Sequence, residues 1–289
     1  MSVALPASIV DIHSHVIAGD PVRFPPAPTT GRQSDWSRER PVDAAAMIAA
    51  MDAAGVARSV LVQASTCYGH DNSYVVESVR ARPDRFVGVF SADLTAPDAV
   101  DVIDGWMARG LSGLRVFVAG HTAADRSVRL DDPRAYPAWR HAAERRIPIS
   151  VQIRADGLPQ LAALLDRFPG VPVVLDHFAR PALEDGPPYE AAAALFALAR
   201  YDNLHFKLTT HNVREARQGR STQAAFLRRA VDAFGAHRIA WGSNYPASPG
   251  TLGGLLGEAL EAAAELSAQE RAWIFGGTAR ALYPALGAA

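Results

Sequence analysis

Val10-Asp11-Ile12-His13-Ser14-His15 ends an apolar run in two histidines one residue apart. Strand side chains alternate with period two, so a strand through this stretch turns positions 13 and 15 to the same side. Two imidazoles side by side at the carboxyl end of a first strand suit a divalent metal, or the polarisation of a substrate carbonyl. A loop carrying two surface histidines would satisfy the same six letters, because so short a motif recurs by chance. The choice turns on whether later strands end in matching residues.

Apolar runs of strand length recur at residues 9–12, 59–63, 86–90, 113–118, 147–153, 171–175, 204–208 and 238–241. Several are nearly continuous in Val, Ile, Leu and Phe, as in parallel strands buried on both faces. Helical patterns lie between them. Residues 43–54 place Met47, Ile48 and Met51 on one face and stop at Gly55; residues 97–109 do the same with Val100, Ile103, Trp106 and Met107 before Gly110. Residues 158–168 and 222–234 repeat the pattern, and Ser267-Ala268-Gln269-Glu270 reads as a capping box. Eight strands alternating with eight helices predict one (β/α)8 barrel domain over residues 1–289. A doubly wound open sheet is the alternative, but it carries a G-x-G-x-x-G turn after its first strand, where this chain has H-x-H. Residues 16–40, with four prolines between 21 and 30, read as a long, irregular first βα loop. In a barrel such loops border the active site.

The composition is that of a globular domain: 289 residues, 49% hydrophobic, 20% charged and a formal net charge of -1. So balanced a charge offers no footprint for nucleic acid or an anionic membrane. Cys67 is the only cysteine, which excludes an internal disulfide. No run of about 18 apolar residues predicts a membrane span, and no basic-then-apolar start predicts a signal peptide, so a cytoplasmic location is expected. Nothing separates a helix that docks a partner from one that covers the barrel, so the oligomeric state is not read.

A barrel puts its catalytic groups at the carboxyl ends of strands. The second strand ends in Gln63-Ala64-Ser65 and the fourth carries Arg115 inside an apolar run. A buried guanidinium needs an acidic partner or an anionic ligand, and both stay open here. The fifth offers Gln152 and Arg154, the sixth ends in Asp176-His177, the seventh carries Lys207, Thr209, Thr210 and His211, and the eighth ends in Ser243-Asn244. One polar strand end is unremarkable; six of them point to an active site.

Three motifs make a resemblance specific: Asp11-x-His13-x-His15, the run from Val173 through Asp176-His177 to Pro181, and Trp241-Gly242-Ser243-Asn244-Tyr245-Pro246. They resemble the amidohydrolase superfamily, and within it the amidohydrolase-2 branch that holds the 2-pyrone-4,6-dicarboxylate lactonases and related sugar lactonases. The segments 62–65, 68–73 and 206–208 are similar to that group as well, so the likeness runs from Ile9 to about Tyr283. It implies a barrel that hydrolyses, decarboxylates or isomerises small carboxylates and lactones. Metal-dependent members would use His13, His15 and His177 as ligands of an ion such as zinc. This chain, however, has Gln152 and Asn244 where a fifth-strand ligand and an aspartate are usual. The resemblance therefore implies a lactonase with no required metal, acting on a small-molecule lactone or carboxylate.

On that basis His13, His15, His177 and Asn244 are the catalytic candidates, the histidines surrounding a lactone carbonyl. Arg115, Ser65, Gln63, Gln152 and Arg214 are the substrate-binding candidates. The family's second arginine falls near His121, and Arg214 matches only loosely, which favours a lactone less acidic than the dicarboxylate. Asn244 stands where the family's general base would be, and a neutral amide cannot take a proton from water. An inactivating substitution, another base (His177, Asp71 or Asp176) and a lactone isomerisation that needs no activated water all remain open. So do a metal-dependent decarboxylase and a non-catalytic binding protein.

Overall fold

Prolines set where two strands begin. Pro148 and Pro172 have no N–H to give a ladder, so the runs predicted over 147–153 and 171–175 pair only from Ile149 and Val173 onward. The computed structural model describes residues 8–29, 31–118 and 129–287. Its strands are β1 (Ile9–Ser14), β2 (Val56–Val62), β3 (Phe86–Ser91), β4 (Gly113–Phe117), β5 (Ile149–Gln152), β6 (Val173–Leu175), β7 (Leu204–Thr209) and β8 (Ile239–Gly242). They form one eight-stranded sheet in sequence order, every neighbouring pair parallel. The ends meet where Asn244 N–H donates to the His13 carbonyl (2.7 Å) and His15 N–H donates to the Tyr245 carbonyl (2.9 Å). The result is a nearly closed (β/α)8 barrel.

Two apolar layers hold it. Inside, Val10, Ile12, Val60, Val62, Val87, Val89, Val174 and Ala240 pack together, and Tyr283 and Leu286 join the same cluster. Outside, alternate strand residues such as Leu61, Phe90, Leu114, Ile149, Val173 and Phe206 meet the helices. The helix Ala44–Ala54 is capped by Asp43, whose carboxylate accepts from Ala46 N–H at 2.8 Å, and it stops at Gly55 with φ +72°. The capping box at Ser267 and Glu270 forms in both directions.

The connection from β6 to β7 corrects the expected alternation. In place of one helix it has 3-10 turns around the single-turn helix Ala193–Phe196, and Pro181, Gly186, Pro187 and Pro188 keep the stretch before Glu190 from extending it toward β6. The first βα loop also departs from the expected irregular excursion, since Asp35–Glu39 forms a short helix. No helix among the described residues is long and apolar enough to cross a membrane.

Candidate active site

The deciding stretch forms a strand, but a bulged one. Asp11 pairs with Ser59 and Ser14 with Leu61, so three steps along β1 face two along β2. A bulge of this kind shifts the alternation by one. It reconciles Val10 and Ile12, which lie in the inner core, with a His13 ring that also points inward to reach Lys207. Asp11 holds the bulge closed: its carboxylate accepts from His13 N–H (2.9 Å), Ser243 N–H (2.9 Å) and Ser243 Oγ–H (2.5 Å). Gly242 is required beside it, because a Cβ there would lie 2.6 Å from His13 Cβ.

His13 and His15 do meet, Nε2 to Nε2 at 3.2 Å. Beneath them lies a buried charge cluster. Lys207 Nζ forms an ion pair with Asp176 Oδ1 (2.8 Å) and donates to His13 Nδ1 (3.2 Å) and Ser150 Oγ (3.0 Å), while Arg115 Nη2 lies 3.4 Å from Asp176 Oδ2. Arg115, left open between an acidic partner and a ligand, therefore has an acidic partner. Burial alone would raise the Asp176 carboxyl, but Lys207, His13 and Arg115 beside it hold it well below the usual carboxylate range. Burial lowers Lys207, and the Asp176 charge opposes that.

The imidazoles are all depressed. Burial, then Lys207, holds His13 well below 6.5; burial, then Arg115, takes His15 from 6.5 to about 3; burial dominates at His177 as well. All three are neutral, and their partners assign the protons. An ammonium only donates, so His13 Nδ1 accepts from Lys207 and His13 Nε2 carries the hydrogen, which it gives to His15 Nε2. His15 Nδ1–H then donates to the Val62 carbonyl at 2.7 Å.

Above this floor opens a cavity of about 500 Å³. His15, Ser65, Arg115, Gln152, His177 and Asn244 line it, together with His211 from just past the end of the seventh strand, and the structure adds Arg180 and Trp36. Trp36 comes from the short helix in the first loop and lies over His15, ring centroids 5.3 Å apart and 30° between planes. No periodicity in residues 16–40 marks it, so sequence reasoning had no signal for it. The loop is tied down by Ser34 N–H to the Thr66 carbonyl (3.0 Å) and by Arg40 Nη2 to the Ala247 carbonyl (3.0 Å).

The other sequence candidates are distributed as follows. His13 lies under the cavity lining, not in it. Gln63 sits behind the wall, its amide donating to the Gly69 (3.2 Å) and Asp71 (2.7 Å) carbonyls and its own carbonyl accepting from Arg115 Nη1 (3.0 Å). Arg214 is not brought to the cavity: Glu258 takes its Nε (3.0 Å) and Nη2 (2.7 Å). Asp71 is exposed and caps Ser73 N–H (3.0 Å), and Asp176 is spent on two cations, which leaves His177 as the base candidate at the cavity. His121 lies outside the described residues. Asn244, at φ +56°, donates to Ser248 Oγ (3.1 Å) and approaches His211 Nε2 (3.4 Å). Two buried donors on the lining have no hydrogen-bond partner among the described residues, Ser65 Oγ and Arg115 Nε. They are neighbours, since Ser65 N–H and Arg115 Nη1 both donate to the Gln63 carbonyl at 3.0 Å.

His13, Asp176 and His177 are close enough for their donor atoms to share one ion. The His13–His15 spacing of 3.2 Å is also near the roughly 3.3 Å that two tetrahedral zinc ligands would show. Charge opposes the fit. The Lys207 ammonium consumes the His13 Nδ1 lone pair, the His13–His15 bond consumes the His15 one, and the Asp176 carboxylate already faces two cations. As wired here, the donor set does not fit a divalent ion.

The same arrangement of strands recurs in known proteins. An L-fucono-1,5-lactonase of Burkholderia ambifaria is 28% identical over 67% of this chain and 66% of its own length, so this chain spans just under two thirds of that relative. A 2-pyrone-4,6-dicarboxylate hydrolase of Comamonas testosteroni is 29% identical over 84% of this chain and 78% of its own. An amidohydrolase of Burkholderia multivorans, solved with bound zinc, superposes with a TM-score of 0.77 at 25% identity, covering 96% of this chain and 99% of that one. The family described as Amidohydrolase, the amidohydrolase-2 family, matches residues 10–285, nearly all of the barrel built above. With its paired first-strand histidines and its sixth-strand His177 at one barrel mouth, this chain belongs to that amidohydrolase family.

Proposed function

We propose that the protein is a lactonase that opens a small cyclic ester to its hydroxy acid by adding water across the ring C–O bond. One observation carries the proposal: a neutral imidazole, His177, lines the same cavity as two buried donors unpaired among the described residues, Ser65 Oγ–H and Arg115 Nε–H. Acyl hydrolysis needs that combination, a base for water and donors for the carbonyl oxygen. The names of the relatives point the same way, one acting on a sugar lactone and one on a pyrone dicarboxylate.

In this proposal His177 Nε2 takes a proton from water as the water attacks the lactone carbonyl. Asn244 cannot be the base, but its amide oxygen can accept the other hydrogen of that water and aim it. The oxygen that gains charge receives Ser65 Oγ–H and Arg115 Nε–H. One such donor lowers the barrier by about 3–4 kcal/mol. When the ring C–O bond breaks, the departing alkoxide takes the proton back from His177, and a hydroxy acid leaves. His13 gives its N–H to His15 and His15 gives its N–H to the Val62 carbonyl, so their part is to hold a neutral floor over Lys207. The mechanism uses no metal.

The substrate is a hydroxylated, weakly acidic lactone. Arg115 spends both Nη groups on Gln63, Gln152 and Asp176, and Arg214 is held by Glu258, so neither is placed to clamp a second carboxylate bidentately. Trp36 offers a flat face suited to a sugar ring.

A panel of sugar-acid lactones and the pyrone dicarboxylate, assayed with the protein as it stands and with Asn244→Asp, tests this. Turnover of a sugar-acid lactone above that of the dicarboxylate is expected. No turnover of any lactone by either form would end the lactonase proposal. Metal analysis of the purified protein should find zinc well below one per chain, and stoichiometric zinc would overturn the metal-free part.

A further inference from the structure

We infer that Thr209 and Asn212 are positioning residues that fix His177 as the Nδ1–H tautomer, leaving its Nε2 lone pair to the cavity. Two backbone groups decide the matter. The Thr209 N–H can only donate, and it donates to Asn212 Oδ1 at 3.1 Å; the His177 carbonyl can only accept, and it accepts from Asn212 Nδ2 at 2.7 Å. These fix which end of the Asn212 amide is oxygen. That oxygen can only accept, so the Thr209 hydroxyl, 3.3 Å away, gives it its hydrogen. With that hydrogen given to Asn212, a lone pair of Thr209 Oγ1 faces His177 Nδ1 at 2.7 Å, which assigns the ring hydrogen to Nδ1. Thr209, Asn212 and His177 are all buried, so water does not compete for these bonds.

The backbone shows that the brace works against strain. His177, Phe178, Ala179 and Arg180 take φ of +54°, +50°, +59° and +51°, a left-handed run of four non-glycine residues. Each such residue costs about 1–2 kcal/mol, so the turn persists only where surrounding bonds over-determine it. The Asn212–His177 carbonyl bond is one of them, and the turn it holds swings the imidazole into the barrel mouth. Polar side chains thus orient an imidazole from behind, as outer partners of functional histidines do.

The tautomer itself does not depend on what the site hydrolyses; its kinetic consequence rests on the proposed lactonase chemistry. The test uses the full chain labelled with 15N-histidine. His177 should show a protonated Nδ1 and a bare Nε2, and Thr209→Val should lose that signature while Thr209→Ser keeps it. On a turned-over lactone, Thr209→Val should lower kcat by about 10- to 100-fold with KM unchanged, and Thr209→Ser should restore the rate. A protonated Nε2 in the native protein, or a Thr209→Val form with unaltered tautomer and kcat, would overturn the inference. The expected tautomer in a protein that opens no lactone would support the brace and defeat the lactonase proposal instead.

Discussion

Lys207 Nζ lies 2.8 Å from Asp176 Oδ1, with neither side chain exposed. The contact joins the one lysine of the chain to the acid that precedes His177, and it explains why both can stay charged inside the barrel. It also supplies a fixed positive charge beside His13, 3.2 Å from its Nδ1.

Breaking this pair from one side should be costly. Lys207→Met leaves Asp176 with only Arg115, and the expected loss is about 3–5 kcal/mol of unfolding free energy. Lys207→Met combined with Asp176→Leu should recover part of that loss, because no uncompensated carboxylate remains. Urea unfolding of the three variants measures it; a double variant less stable than Lys207→Met would contradict the pairing.

Acid should destabilise the fold from near-neutral pH downward. His15 falls from 6.5 to about 3 on folding, and His13 and His177 also lie well below 6.5. Below pH 6.5 the unfolded chain binds protons that the folded chain refuses. Stability is therefore complete above that value and declines beneath it, by up to about 1.4 kcal/mol per pH unit for each histidine. The depressed Asp176 adds a further loss only below about pH 4, where its unfolded form is protonated. Unfolding midpoints followed downward from about pH 8 should fall, and His15→Leu should flatten the slope. A stability maximum at acidic pH would refute the assignment.

Ser65→Ala separates catalysis from stability. Its hydroxyl is buried without a partner among the described residues, so removing it should leave the fold as stable or more stable, by about 1 kcal/mol. Loss of a donor to the developing oxyanion should lower kcat by about 100- to 1000-fold. A variant with unaltered kcat would remove Ser65 from the mechanism.

Asn244→Asp should add a base beside the attacking water. An increase in kcat of at least about 10-fold is expected, within the range of general base catalysis. Activity that appears only in the aspartate form would mark the present chain as an inactive hydrolase.

Much of the site was legible in the chain because barrel strands announce themselves. A hydrophobic run ending in a polar residue locates a strand end, and this placed Ser65, Arg115, Gln152, His177 and Asn244 at one mouth, where the cavity lies. Gln63, named for its strand end, and Arg214, named from a loose family match, do not line the cavity, because position along the chain does not set which way a side chain turns. Gln63 turns to the Gly69 and Asp71 carbonyls, and Arg214 turns to Glu258 on a later helix. Trp36 was invisible because an aperiodic loop carries no directional signal.

The sequence by itself determined the eight-stranded alternation, which follows from periodicity, and pointed to the family through the resemblance of three motifs spaced along the chain. Only the tertiary structure decided what His13, His15 and His177 can do. Proton positions depend on partners distant along the chain: Lys207 for His13, Val62 for His15, Thr209 and Asn212 for His177. A hydrogen bond is settled by which group must donate and which must accept at about 3 Å, and no spacing in the sequence contains that distance.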